Sequence, residues 1–159
     1  MSQVLNLWQK ASGVPVVGAR AFSFLVAQKA PYFFTIRPRF TVIEPHHVEL
    51  VFRDRRGVHN HIGTVHAIAL CNGLEAAMGA LAEATIPEGK RWIPKGMDVA
   101  YTAKATGEIT CVAETDVDQW TSAALPDSGG DLPVRVRGVM EDGTVVIEGV
   151  IRLWVTPKK

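Results

Sequence analysis

The period of hydrophobic and polar positions changes several times along the chain, and the changes mark its elements. Residues 60–84, NHIGTVHAIALCNGLEAAMGALAEA, open as a polar, Gly-containing turn and become a long run of small and apolar residues interrupted by one internal carboxylate, Glu75. The run predicts a buried helix. Its apolar residues are not confined to one stripe: Val65, Ile68, Leu70, Leu74, Ala76, Ala77, Met78 and Leu81 point around most of the circumference. Such a helix needs protein on nearly every side, and its many Ala and Gly residues let neighbouring backbone come close. Glu75 in the middle of that run requires an explanation.

Ahead of it, the pattern predicts two short helices over residues 3–11 and 16–30, separated by Ser12 and Gly13. Pro15 suits the first turn of the second helix and Pro31 marks its end. Phe22, Phe24, Leu25 and Val26 make the second helix apolar, as for a helix packed on the outside of a domain or, alternatively, a lid over an acyl chain. From Phe34 the period becomes strand-like. Ile36, Pro38, Phe40 and Val42 fall on one face, and Val48, Leu50 and Phe52 follow a break at Pro45, His46 and His47. A polar segment, 53–60, leads into the central helix, which closes near Thr85 because Ile86-Pro87-Glu88-Gly89 cannot continue it.

The second half reads as antiparallel sheet from about Arg91. Residues 97–105 and 109–117 alternate around a Thr106-Gly107 turn, and 132–140 and 144–155 flank Glu141, Asp142 and Gly143, a strong hairpin signal. Residues 120–130 form the longest loop. The order predicts one α+β domain over 1–159, with a helical extension at 1–31 and a core at 34–157 in which one long helix packs against about six strands. If that helix is apolar all round, the sheet must curl about it, and self-association must cover what the sheet leaves open.

Composition narrows the function classes. At 159 residues the chain is long enough to bury a sizeable core. A hydrophobic share of 47% with 21% charged residues excludes a largely disordered chain, and a net charge of +1 without long basic runs gives no footprint for nucleic acid. Cys71 and Cys111 lack the spacing of a zinc site or disulfide framework and read as reduced core residues. No segment reaches the uncharged apolar length of a membrane span; residues 14–27 are short and carry Arg20. The expectation is a cytoplasmic protein without stable membrane insertion.

The run Asn60-His61-Ile62-Gly63-Thr64-Val65-His66, with Glu75 following, resembles the Asn-x-x-Gly-x-x-His-Gly-Gly stretch and helical Asp or Glu of hotdog-fold thioesterases of the phenylacetate-pathway type, in an uncharacterised branch. Residues 98–109, DVAYTAKATGEI, are similar to that family's second signature. The resemblance spans about residues 40–155 and implies a hotdog fold, a long helix wrapped by a curved antiparallel sheet. Two side chains, Ala67 and Ile68, stand where the family has glycines. Gly79 and Ile93 occupy the places from which relatives supply a hydroxyl.

Ala67 and Glu75 lie eight residues apart on one helix, about 12 Å along its axis, so one copy cannot bring both to a single reacting atom. The resemblance implies homodimers, with a tetramer as the larger possibility, whose helices run side by side so that each site draws on two subunits. It further implies hydrolysis of an acyl-coenzyme A thioester. The backbone N–H of Ala67 would stabilise the oxyanion. Glu75 would act as general base or nucleophile. Asn60 would orient water or carbonyl, and His66 would orient the turn or cap the helix. Gly63, Ile68 and Tyr101 would line the substrate, with Arg91, Lys95, Lys104 and Arg152 facing the phosphates. Coenzyme A enters as part of the substrate, with no other cofactor and no metal. Phe22, Phe24, Leu25, Trp92 and Met97 would suit a medium or long acyl chain. Other readings stand beside this one: a non-catalytic acyl- or lipid-binding hotdog protein, Asn60 as a plain turn residue, a metal site among His59, His61 and His66, and a hydratase pairing His66 with Glu75.

Overall fold

The computed structural model describes residues 3–13, 17–121 and 124–158. Among them, three α-helices accompany one six-stranded antiparallel sheet, with long helix α3 (Ala67–Thr85) against its concave face. Leu74, Ala77, Met78, Leu81 and Ala82 on α3 are fully buried, as are Phe52, Ile109, Cys111 and Ile147 on the strands. Small residues set the spacing of the two layers. A Cβ added at Gly73 would stand 2.6 Å from Cys111 Sγ and 2.9 Å from Phe52 Cε1, closer than side chains pack, so helix and sheet meet there at glycine range. The helix stops where Ile86 turns extended, with its N–H still donating to Ala82 O (2.9 Å) and Pro87 following. By length and composition α3 could cross a bilayer, but most of it is buried inside the protein, so its apolarity belongs to the core.

Strands β1 (Arg39–Glu44) and β2 (His47–Phe52) form a tight hairpin whose turn places His46 at φ 69°. The expected alternation holds through Ile36, Pro38 and Phe40, all buried, but a bulge between Phe40 and Val42 then shifts the register, so Ile43 is buried and Val42 only half so. Residues 34–38 are also not strand. Pro31–Thr35 is a 3-10 helix, and the chain turns at Arg37 (φ 51°) before β1 begins.

Beyond α3, β3 (Lys90–Tyr101), β4 (Ile109–Glu114), β5 (Gly130–Met140) and β6 (Val145–Pro157) complete the sheet in the order β1-β2-β4-β5-β6-β3. The strand expected at 97–105 therefore begins earlier and ends at Tyr101, and the one expected at 109–117 ends at Glu114, where Val117–Trp120 forms a 3-10 turn. Thr106 and Gly107 do not close a hairpin. β3 pairs with β6 at the far edge, and the chain returns across the start of α3, where buried Ala105 accepts from Val65 N (2.9 Å). The β5–β6 hairpin turns at Gly143 (φ 85°), as its sequence predicts.

Helices α1 (Gln3–Ser12) and α2 (Val17–Lys29) cover one edge of this sheet; the expected Pro15 signal lies outside the described residues. Phe22 is core, packed edge-on between Trp8 (5.2 Å between centroids) and Phe40 (5.8 Å). Ser23 Oγ accepts from Phe40 N (3.0 Å) and donates to Ala19 O (2.7 Å), so α2 supplies the acceptor that edge strand β1 lacks. Among the described residues, no such cover lies along β3. The architecture is the α+β hotdog fold. Because Gly73 has no slack, Gly73→Val should destabilise the protein by about 1–3 kcal/mol through overpacking, measured as a lowered denaturation midpoint beside a neutral Gly107→Ala control, whose added Cβ meets open space.

Candidate active site

The start of α3 is built by a loop that spends most of its polar groups on itself. His59 and Val65 bridge across it, Asn60 N donates to Thr64 O (2.9 Å), and Gly63 N donates to Asn60 O (3.2 Å) with Gly63 at φ 80°. The Asn60 side chain holds the turn from inside. Its Oδ1 accepts from Ile62 N (3.1 Å) and Thr64 N (3.2 Å), while Nδ2 donates to Thr64 Oγ1 (2.8 Å). Two strand-like bonds fix the loop to its surroundings: Val65 N to Ala105 O, and His66 N to Val58 O (2.7 Å).

His66 is the N-cap of α3. Its Nδ1 accepts from Ile68 N (3.1 Å), and its carbonyl accepts from Ala69 N (2.9 Å) and Leu70 N (3.2 Å). The Ala67 N–H is passed over: among the described residues it has no acceptor. It is a free donor at the positive end of a 19-residue helix.

Glu75 is exposed two turns further on, with no hydrogen-bond or ion-pair partner among the described residues. It belongs to a stripe that the sheet does not close: Ile68 (54% exposed), Cys71, Glu75, Gly79 and Glu83 follow one another at helical spacing. Edge strand β3 runs beside this stripe in the opposite direction. Tyr101 OH lies 3.2 Å from Cys71 Sγ, and Trp92 Nε1 donates to Glu83 Oε1 (2.8 Å) with its ring over Gly79. Cys71 is thus half-exposed within the stripe rather than core as expected, whereas Cys111 is core, and burial pushes its thiol well up.

The expected substrate contacts separate into two groups. Tyr101, and Lys104 just beyond it, lie toward the N-terminal end of α3 with His66, Ala67 and Ile68. Arg91 and Lys95 lie toward the other end of β3, where Arg91 is about 33 Å of strand from Tyr101. Lys95 is committed to Asp131 (2.8 and 3.1 Å) and sits over the Trp154 ring, while Arg91 and Lys104 are exposed without partners among the described residues. Arg152 lies against Gly96 on the neighbouring strand.

The three-histidine cluster is dispersed: His59 pairs with Asp54, His61 is exposed, and His66 caps the helix. No group of three or more metal-ligating side chains occurs among the described residues.

One polar residue escaped the sequence reading. Asn72 is buried in α3 and donates to Thr35 Oγ1 (3.0 Å) and Tyr32 O (3.4 Å), tying the 3-10 helix of residues 31–35 onto α3, while its Oδ1 has no partner. It lines a cavity of about 220 Å³ together with Tyr32, His59, His66 and Ile68. The only signal was a lone amide in an apolar run.

The Tyr101–Cys71 contact is measurable. The hydrogen bond with Cys71, with partial burial, pushes the Tyr101 phenol up to about 12. Cys71→Ala should return it toward its ordinary value of 10.0. Ultraviolet titration of phenolate reads this against Tyr32, the only other tyrosine.

Residues 18–155 match the family model described as Domain of unknown function (DUF4442). Comparison with curated proteins returns no match. A solved structure described as genomics APC5556 is 40% identical over 98% of this chain and 99% of its own, with a TM-score of 0.82. Another, PA5026 from Pseudomonas aeruginosa, described as a protein of unknown function and probable thioesterase, is 25% identical over 91% of this chain and 97% of its own, TM-score 0.77. At 10% identity, thioesterase HI1161 from Haemophilus influenzae shares the fold over 79% of this chain and 82% of its own, TM-score 0.66. The chain therefore belongs to the family described as Domain of unknown function (DUF4442), an uncharacterised branch among the hotdog-fold thioesterase-like proteins.

Proposed function

We propose that the protein is an acyl-coenzyme A thioesterase whose two equivalent sites each combine the α3 N-terminus of one copy with Glu75 of a second. One observation carries this reading. The Ala67 N–H and the Glu75 carboxylate are both unsatisfied on the same helix, yet about 12 Å apart along it. Antiparallel apposition of two α3 helices about a two-fold axis near Cys71 makes each donor face the other copy's carboxylate, since residues 67 and 75 are equidistant from 71.

The sheet supports the same pairing. β3 is the edge left uncovered, and its first half is blunted by Pro94 and by a register shift between Pro94 and Gly96. Residues 97–101 carry no such defect and offer a free ladder to a second β3. Ile68 and Tyr101, 54% and 52% exposed in one copy, would be covered there.

In this site the thioester carbonyl oxygen accepts from Ala67 N–H. Glu75 of the second copy removes a proton from water as its oxygen adds to the carbonyl carbon. The helix dipole and the N–H hold the oxyanion of the tetrahedral intermediate, which collapses to expel the coenzyme A thiolate and leave the carboxylic acid. Asn60, fixed by the loop, keeps one amide hydrogen for the water or carbonyl. The Ile68 side chain walls the acyl side of the N–H. Lys104 of the copy that supplies Ala67 and Arg91 of the copy that supplies Glu75, both without partners among the described residues, are the cations available to the phosphates. The cytoplasm is the location that goes with this reading. Loss of catalysis with the pocket retained, as a carrier of acyl groups, is the competing reading, favoured by the absence of a hydroxyl at Gly79 beside Glu75.

Thiol release from a panel of acyl-coenzyme A esters decides between them. Glu75→Gln should lower kcat about 10²–10⁴-fold. Ala67→Pro deletes the proposed donor where proline suits a helix start, and should cost about 10²–10³-fold in kcat without a fall in melting temperature. Co-refolding the two variants should restore about a quarter of wild-type activity, because half of the dimers would be mixed and each would hold one intact site. Activity no higher than that of either variant alone, with mixed dimers demonstrated, would refute the shared site; no wild-type turnover on any ester would refute the enzyme.

A further inference from the structure

We infer that the α2 face of the protein docks reversibly on anionic lipid bilayers. Charge is segregated along the chain. Five basic residues and no acidic one precede Glu44, so that segment carries +5 although the whole chain carries only +1, and the remainder is net acidic. The same segment exposes apolar side chains. On α2 the inward residues Phe22 and Ser23 fix the helix to β1, and this turns Val17, Arg20, Ala21, Phe24, Leu25 and Gln28 outward at helical spacing. Val17, Phe24 and Leu25 are 66%, 51% and 60% exposed, and Tyr32 close by is 65% exposed.

Beside this stripe lies a groove of about 690 Å³ walled by Phe24 and Phe34 and ringed by Arg20, Arg37, Arg39 and Arg53. Its carboxylates do not neutralise it. Asp54 is engaged by His59, and Glu108 reaches only Arg53, at 3.8 Å. Among the described residues, Arg20, Arg37 and Arg39 have no carboxylate partner.

Apolar side chains carried outward on a helix that itself holds no acid, with guanidinium groups alongside, are the features by which a surface-lying helix selects an anionic bilayer. The stripe itself carries few directional hydrogen-bonding groups that would specify a folded protein partner. Its place leaves it accessible in the proposed dimer, since β1 and β3 are opposite edges of the sheet. This docking is peripheral, without insertion of a spanning segment, and it does not depend on the thioesterase reading.

Co-sedimentation of the full chain with phosphatidylcholine vesicles, with and without phosphatidylglycerol, tests the inference. Binding is expected only to the mixed vesicles and should weaken as salt is raised. Arg20→Ala with Arg39→Ala should reduce partitioning about 30-fold, and Phe24→Ser with Leu25→Ser about 100-fold or more. Melting temperature checks that each double variant is folded. Equal binding to both compositions, no binding to either, or an unchanged partition of the folded arginine variant would overturn it. So would inorganic phosphate raising the melting temperature while anionic vesicles are not bound, since the groove would then be a small-anion site. The wild-type composition and salt contrasts decide the matter even if a variant fails to fold.

Discussion

The close approach of α3 to the sheet at Gly73 is the contact on which the other features depend. A helix rich in Ala and Gly buries little area per residue, so it holds a sheet only by bringing backbones together and sharing a dense layer of contacts. One curved sheet of six strands cannot close around such a helix. A stripe is left over, and it is on this stripe that Glu75 stands unpaired. The carboxylate that looks misplaced in an apolar run is therefore tolerated because, between the contacts that Tyr101 and Trp92 of β3 make with the stripe, Glu75 stays exposed.

The two edges of the sheet are treated differently, and the difference sorts the surface by role. At β1 the extension supplies a hydroxyl acceptor from Ser23 and an aromatic plug from Phe22, which satisfy the edge within one copy. At β3 one face is exposed and the other is only half-buried, through Trp92, Met97 and Val99, and the strand is regular over its second half. One edge is thus closed and coated with an outward-facing cationic and apolar helix. The other is open and lies beside the helix stripe.

Much of this was legible in the sequence because it is local. The period of residues 67–85, the stop at Pro87 and the Gly143 turn each follow from a few adjacent residues, as does the motif that places His66 at the helix start. What the pattern missed is what depends on distant partners. β3 alternates poorly because neither of its faces is consistently buried, so its first half was read as sheet from about Arg91 without the bounds of a strand, and no local signal tells that it pairs with β6 rather than β4. The bulge after Phe40 moved burial from Val42 to Ile43, a shift that alternation alone does not reveal. Cys71 was read by type and Asn72 was passed over, and their roles come from Tyr101 and Thr35, each at least 30 residues away.

The cap geometry refines the meaning of the motif. In a helix start satisfied wholly by its own loop, no N–H would remain for a substrate. Here the His66 ring takes the Ile68 N–H and the His66 carbonyl takes the next two, which leaves the Ala67 donor alone. The side chains of Ala67 and Ile68 do not remove that donor; they restrict the direction from which a carbonyl can reach it. In the proposed site, Ala67 and Ile68 in place of two glycines would change which acyl groups fit before they changed whether an oxyanion can be held, and the exposed Ile68 would be the residue that selects among them.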